Sequence, residues 1–295
     1  MPPARNRTAA ASIAVLALIL TGCGNAGSSE SSDVGIKATD KPTFTVGGRM
    51  QKLADAGKIT IGVKFDQPGV GFKGATDKMP VGFDPEIAKI LAASLGIAPE
   101  KIAWKETISD NREPFLENGE VDLVVASYSI TDERRKVVGQ AGPYYTTGQQ
   151  LLVRSDSKID SLADVKGKEV CSVTGSTSLN QIEAKGAKPR GFDTFSECVD
   201  QVLNGTVDAM TTDGALLLGY AAQHKGQLKV VVKPFSDERW GVGYSRKHPE
   251  MCQWITDTLT KAEKDGTWKK AFETTLGKSG VQTPTPPAPD ACLAS

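Results

Sequence analysis

The chain has 295 residues, with 35 basic and 35 acidic side chains and no formal net charge. That balance leaves no basic stripe with which to hold nucleic acid. The length suits two modest lobes better than one continuous core.

Arg5 and Arg7 open the chain, an apolar stretch follows over residues 9–20, and the run ends in Leu20-Thr21-Gly22-Cys23. A charged start with a short apolar core reads as an export signal, because about a dozen apolar residues cannot cross a ~30 Å hydrocarbon layer. Leu-Thr-Gly-Cys resembles a bacterial lipobox, which implies cleavage before Cys23 and lipid on its thiol. Removing residues 1–22 takes away Arg5 and Arg7, so 33 basic residues remain against 35 acidic ones, a net charge of −2. Residues 23–49, rich in Gly, Ser, Asp and Lys at 24–43, lack an apolar period and are expected to be a flexible tether.

The globular part is expected from Met50. Lys58 to Lys64 alternates as a strand opening. Asp84-Pro85-Glu86 supplies an N-cap, a first-turn proline and an acid; Ile87, Ile90, Leu91 and Leu95 then recur at helical spacing before Gly96. Residues 121–126 form an apolar run that reads as a buried parallel strand, and it opens into Ser127-Tyr128-Ser129-Ile130-Thr131-Asp132-Glu133-Arg134. Open α/β sheets place ligands at such carboxyl ends. A helix begins at Thr131, whose hydroxyl can cap it, with Asp132 and Glu133 in the first turn. Arg112 and Arg134 bracket the strand, and each guanidinium can fork onto a carboxylate.

The motif Asn118-Gly119-Glu120-Val121-Asp122 recurs as Asn204-Gly205-Thr206-Val207-Asp208. Each copy follows a helical stretch and opens a strand. Six residues beyond the valine stand Ser127 in one copy and Asp213 in the other, so the two strands load a site in the same register. Lys58 to Lys64 and Lys168 to Thr174 are comparable strand openings upstream. The duplication points to two similar α/β lobes. In the second, Thr174-Gly175-Ser176-Thr177-Ser178 leads into a helix whose first amides favour an anion. Helices are expected over 249–266 and 267–276, and Pro284, Pro286, Pro287 and Pro289 mark an extended tail.

Cys171, Cys198, Cys252 and Cys292 are four thiols in an exported context, where disulfides form. Three pairings are possible. Cys171 with Cys198 stays inside one lobe and Cys252 with Cys292 ties down the tail, so these two are expected. Zinc is the weaker reading, since no two cysteines show the spacing of a metal knuckle, and no cofactor is called for.

Arg134 with the helix start for one carboxylate, Asp213 for an ammonium, and Arg112 with Lys64 for a second carboxylate together match an acidic α-amino acid. On Gly82-Phe83-Asp84, Asn111-Arg112, Ser129 to Arg134, Val173 to Thr177 and Asp208 to Asp213, the chain resembles the polar amino-acid solute-binding proteins of bacterial ABC importers, most of all their glutamate-binding lipoproteins. The resemblance spans Lys58 to Leu276. It implies the type II periplasmic-binding-protein fold: two Rossmann-like α/β lobes joined by two crossing hinge strands, near Gly148-Gln149-Gln150 and Trp240-Gly241-Val242, with the ligand in the cleft. Lobe 1 would comprise residues 50–147 and 241–277, lobe 2 residues 148–240, and 278–295 the tail.

In that family Arg134 would clamp the α-carboxylate, aided by Thr177 and the amide of Ser176. Ser127 and Ser129 would add contacts, and Asp213 would take the ammonium. Arg112 would bind the side-chain carboxylate beside Lys64, and Phe72 would pack on the methylenes; Tyr128 joins this set. Some relatives carry a basic residue near Phe195, which this chain lacks. The implied partners are an amino acid, a permease and an ATPase, with the membrane reached through lipid on a monomer.

Two rivals use the same residues. An enzyme on this fold would have Asp66 and Asp213 as acid and base, but no serine or cysteine has a base nearby, and His224 and His248 read as exposed turn residues. A tethered sensor would share the site and differ only in its partner.

Overall fold

The computed structural model describes Met1, residues 34–40 and residues 42–292. The signal segment and Cys23 lie outside the described residues.

The first lobe runs α1 (Arg49–Ala56), β1 (Ile59–Val63), a hairpin of β2 (Asp66–Gln67) and β3 (Gly71–Phe72), α2 (Phe83–Ser94), β4 (Ile102–Glu106), α3 (Arg112–Glu117), β5 (Leu123–Val124), α4 (Asp132–Arg135) and β6 (Gly139–Thr147). The second runs β7 (Gln149–Arg154), β8 (Glu169–Val173), α5 (Thr177–Glu183), β9 (Lys188–Phe192), α6 (Phe195–Leu203), β10 (Ala209–Asp213), α7 (Gly214–Gln223) and β11 (Leu228–Val231). The chain then returns to the first lobe as β12 (Glu238–Tyr244), α8 (Met251–Lys264) and α9 (Thr267–Glu273).

The sheets have orders β4-β1-β5-β12-β6 and β9-β8-β10-β7-β11. Position by position they correspond: β5 lies between parallel β1 and antiparallel β12, and β10 lies between parallel β8 and antiparallel β7. The repeated five-residue motif has a physical cause. Asn118 and Asn204 end α3 and α6, and Gly119 and Gly205 follow with φ of 71° and 81°, where a side chain would be strained. Asp122 Oδ2 accepts the Thr60 N–H at 2.8 Å, and Asp208 Oδ2 accepts the Glu169 N–H at 2.9 Å. Each aspartate thus satisfies an amide at the start of the neighbouring parallel strand.

The first lobe closes over an aromatic core in which Phe83 meets Tyr144, Trp268 and Phe272 at centroid separations of 5.9, 5.5 and 5.5 Å. Such tilted and edge contacts add to the area these rings bury. In the second lobe, Leu151, Val153, Val170, Ile182 and Ala209 form the inner cluster.

Several expectations are corrected. The tether was expected to reach residue 49, but from Val34 the chain packs on the first lobe: Val34 is buried, Lys270 Nζ donates to its carbonyl at 2.9 Å, and Thr39 N–H donates to the Ala93 carbonyl at 2.8 Å. Asp84 is not a cap. Gly82 precedes the helix, and Asp84 sits inside its first turn, fully buried. The strand expected over residues 121–126 is regular only at Leu123 and Val124, with the Asp122 and Val125 N–H groups still donating to the Thr60 and Gly62 carbonyls of β1; Ser127, with a φ of 41°, then turns the chain away. The first crossing falls at Gly148, between β6 and β7. The second lies at residues 232–237, upstream of Trp240, which already pairs with Tyr145 in the first sheet. The crossings touch: Phe235 N–H donates to the Gln149 carbonyl and Gln149 N–H to Ser236 Oγ, both at 3.0 Å. A Cβ at Gly148 would come within 2.5 Å of the Ser236 carbonyl oxygen.

Both expected disulfides are present, Cys171–Cys198 and Cys252–Cys292, each with a Cα separation of 5.8 Å. The first closes a span of 27 residues. Replacing both Cys171 and Cys198 by serine is expected to lower unfolding stability by about 3 to 4 kcal/mol, read from urea unfolding of the oxidised parent and the variant.

Candidate functional site

The carboxyl ends of β5 and β10 face each other across the two lobes, and between them lies a narrow, polar-lined cavity. Its walls carry Arg112, Ser127, Ser129 and Arg134 from the first lobe, and Ser176, Thr177 and Asp213 from the second. Ser109, Ser178, Phe195 and Thr212 complete it. Seven of the ten residues expected at the site therefore converge.

Ser127 holds a backbone conformation uncommon for a residue with a side chain, and its neighbours enforce it. Its N–H donates to Asp84 Oδ2 at 2.7 Å, and Gln67 Nε2 donates to its hydroxyl at 3.0 Å. Tyr144 donates its hydroxyl to the other Asp84 oxygen at 2.6 Å. Burial pushes the Asp84 carboxyl up to about 7, against the pull of these two hydrogen bonds.

Arg112 and Arg134 are 2% and 9% exposed and lie over the Tyr128 ring, with guanidinium carbons 4.5 and 4.9 Å from its centroid. The ring is a shared floor for two cations. Arg112 donates to the carbonyls of Ser109, Ala126 and Gly175 at 3.1, 3.3 and 3.1 Å. Arg134 donates to the carbonyls of Ser129 and Gly175 at 2.6 and 2.9 Å, and pairs with Glu113 at 3.1 Å. A guanidinium has five N–H donors, so three engaged on each leave two for a bound group. Burial, then the Arg134 charge, lowers the Arg112 guanidinium to about 10, still cationic at neutral pH.

Asp213 ends β10 and is 4% exposed. Trp240 Nε1 donates to its Oδ2 at 2.6 Å, while Oδ1 is buried without a hydrogen-bond partner. Such an acceptor is costly unless a donor arrives. Burial, and next the Glu238 carboxylate, raise its carboxyl to about 8.

Three residues expected in the walls lie elsewhere. Lys64 is buried behind Ser109, donating to its hydroxyl at 2.9 Å, and burial with the Arg112 charge lowers its ammonium to about 7. Tyr128 is the floor beneath the arginines. Phe72 belongs to the β2–β3 hairpin, where it bridges Val81; the apolar wall is Phe195. Ser109 and Trp240 went unread as site residues, because neither belongs to the repeated motif and only the folded chain brings them to Arg112 and Asp213. Asp66 accepts the Phe195 and Ser196 amides at 2.7 and 3.3 Å and so joins the lobes outside the cavity. Among the described residues, no group of three His, Cys, Asp or Glu could hold a metal ion, and no helix is long and apolar enough to cross a membrane.

Two similar lobes on crossing segments, with a small charged cavity between them, define a protein that closes on a solute. The chain belongs to the bacterial extracellular solute-binding proteins, family 3, which it matches over residues 59–278. It is 36% identical to a glutamate-binding protein of Corynebacterium efficiens, covering 94% of each chain. It is also 36% identical to a glutamine-binding protein of Geobacillus stearothermophilus, covering 83% of this chain and 95% of the relative. A solved ancestral arginine-binding protein bound to glutamine superposes with a TM-score of 0.69 at 36% identity, over 75% of this chain and 98% of that one. These are binding proteins, so the chain is a binding protein of the type II periplasmic fold and not an enzyme.

The raised Asp213 carboxyl has a consequence for stability. The unfolded chain ionises it near 3.8 and the folded chain near 8, so between those values the unfolded state binds fewer protons and stability falls as pH rises. In the ligand-free protein, Asp213→Asn is expected to gain stability over the parent from about pH 4 to pH 8 and to level off above. Urea unfolding across that range checks it; parallel profiles would refute the raised carboxyl.

Proposed function

We propose that the chain captures an acidic amino acid, glutamate foremost, outside the cytoplasm and hands it to an ABC importer, held at the membrane by lipid on Cys23 and acting as a monomer. One observation carries the ligand assignment: the ionisable groups in the walls are two guanidiniums and one carboxyl, Asp213, which an arriving ammonium draws into its ionised form. A dicarboxylic α-amino acid presents the mirror image, two carboxylates and one ammonium. Buried charges of this kind need partners of opposite sign and matched geometry.

In this reading Arg134 and the Ser176–Thr177 turn take the α-carboxylate, the free Asp213 Oδ1 takes the ammonium, Arg112 with Ser109 takes the side-chain carboxylate, and Phe195 packs on the methylenes. Ser127 and Ser129 offer further polar contacts from the first lobe. Lys64 contributes positive potential through Ser109 instead of touching the ligand. The glutamate- and glutamine-binding relatives support an amino-acid ligand; the importer and the lipid anchor rest on family membership and on the Leu20-Thr21-Gly22-Cys23 motif. Because contacts come from both lobes, the ligand favours the closed form by its affinity for closed over open.

Calorimetric titration with glutamate, aspartate, glutamine and asparagine is the direct test, and glutamate is expected to bind tightest. Arg134→Ala should weaken all four by about 3 to 5 kcal/mol, several hundredfold or more, since it unpairs a buried charge. Arg112→Met should weaken glutamate far more than glutamine. Equal losses for the two would remove Arg112 from the side-chain carboxylate.

A further inference from the structure

Beyond α9 the chain runs without helix or strand over residues 281–292, and Cys292 is bonded to Cys252 on α8. Two residues short of that anchor, Asp290 lies across two segments of the ligand site. Its N–H donates to the Gly142 carbonyl on β6 at 2.7 Å. Arg135 Nη2 donates to its Oδ2 at 2.7 Å, and Arg239 Nη2 donates to its Oδ1. Arg135 follows Arg134 in α4. Arg239 precedes Trp240, whose indole holds Asp213.

The segments that carry those arginines are joined to each other. Ile130 N–H donates to the Arg239 carbonyl at 2.8 Å, and Gly241 N–H donates to the Tyr128 carbonyl at 2.9 Å. The helix α4 has four residues, too few to hold its own geometry, so the placement of Arg134 depends on tertiary contacts. The Asp290 carboxylate is one of these contacts, bonded to two cations at once and partly shielded, with 27% of its side chain exposed. The disulfide keeps the carboxylate near its partners by tying the chain down two residues away.

We propose that Asp290, fastened by the Cys252–Cys292 disulfide, is a positioning residue for the ligand site: its carboxylate, bonded to Arg135 and Arg239, sets Arg134 on one side and the Trp240–Asp213 pair on the other. The proline-rich tail is then a strap that acts on the cavity without touching it. The proposal rests on the roles given above to Arg134 and Asp213.

The test uses the mature chain, with glutamate titrated well below the unfolding midpoint and amide exchange followed over residues 131–138 and 239–243 without ligand. Asp290→Ala is expected to weaken glutamate at least tenfold and to speed exchange in both segments, while Asp290→Glu recovers most of the affinity. The paired Cys252→Ser, Cys292→Ser variant should weaken binding likewise, and adding Asp290→Ala to it should cost less than a further twofold, as expected of groups that act as one unit. Arg134→Ala, run alongside, separates the two readings: parental affinity in that variant overturns the site assignment. With Arg134→Ala inactive, parental affinity in Asp290→Ala overturns the strap whatever happens to stability, as does exchange that does not change.

Discussion

Two guanidiniums and a carboxylate are buried together between the lobes, and the rest of the structure serves to keep those charges placed and compensated. Arg112 and Arg134 share one aromatic floor, Tyr128, and one acceptor across the cleft, the Gly175 carbonyl. Asp213 faces them with one oxygen held by Trp240 and the other free. Like charges this close repel, and an unpaired buried acceptor is costly, so the arrangement persists because backbone carbonyls, Glu113 and the indole offset the burial. It is poised for a solute that supplies the missing counter-charges.

The lobes meet in this closed arrangement through a small set of contacts around the cavity. Asp66 receives two amides at the start of α6, and Tyr220 donates its hydroxyl to the Asp66 carbonyl at 2.6 Å. Gly219 lies so near Pro68 that a Cβ would sit 2.3 Å from its carbonyl oxygen. The two crossings, bonded through Gln149 and Ser236, form a further link. Val232 begins the second crossing with a φ of 63°, a rare conformation for a β-branched residue, and Gln150 Nε2 pins its carbonyl at 2.6 Å. Strain at a junction over which the lobes must pivot fits a hinge more naturally than a rigid core.

Much of this was legible in the chain. The Asn-Gly-x-Val-Asp repeat marked two lobes because its residues perform local work: ending a helix, taking a positive φ and capping the neighbouring strand. The same register brought Ser127 and Asp213 to equivalent strand ends, and the four cysteines paired as their positions suggested. Less legible was Asp84. In sequence it looks like a helix cap, since Asp before Pro at a helix start usually is one, yet it is buried under Tyr144 and Ser127. Lys64 and Phe72 were placed at the site by the family resemblance, but the β2–β3 hairpin carries Phe72 away and Lys64 donates to Ser109.

By itself, then, the sequence determined the α/β lobes, the strand ends that bear the charges and the sign of those charges, because capping, periodicity and motif register act over a few residues. Only the tertiary structure decided which charges face one another, that Tyr128 lies beneath both arginines, that Trp240 orients Asp213, and that Asp290 at the end of the tail reaches the segments of Arg134 and Trp240. Those relations join residues far apart in the chain, and no local pattern encodes a contact whose partner is brought in by the packing of two lobes.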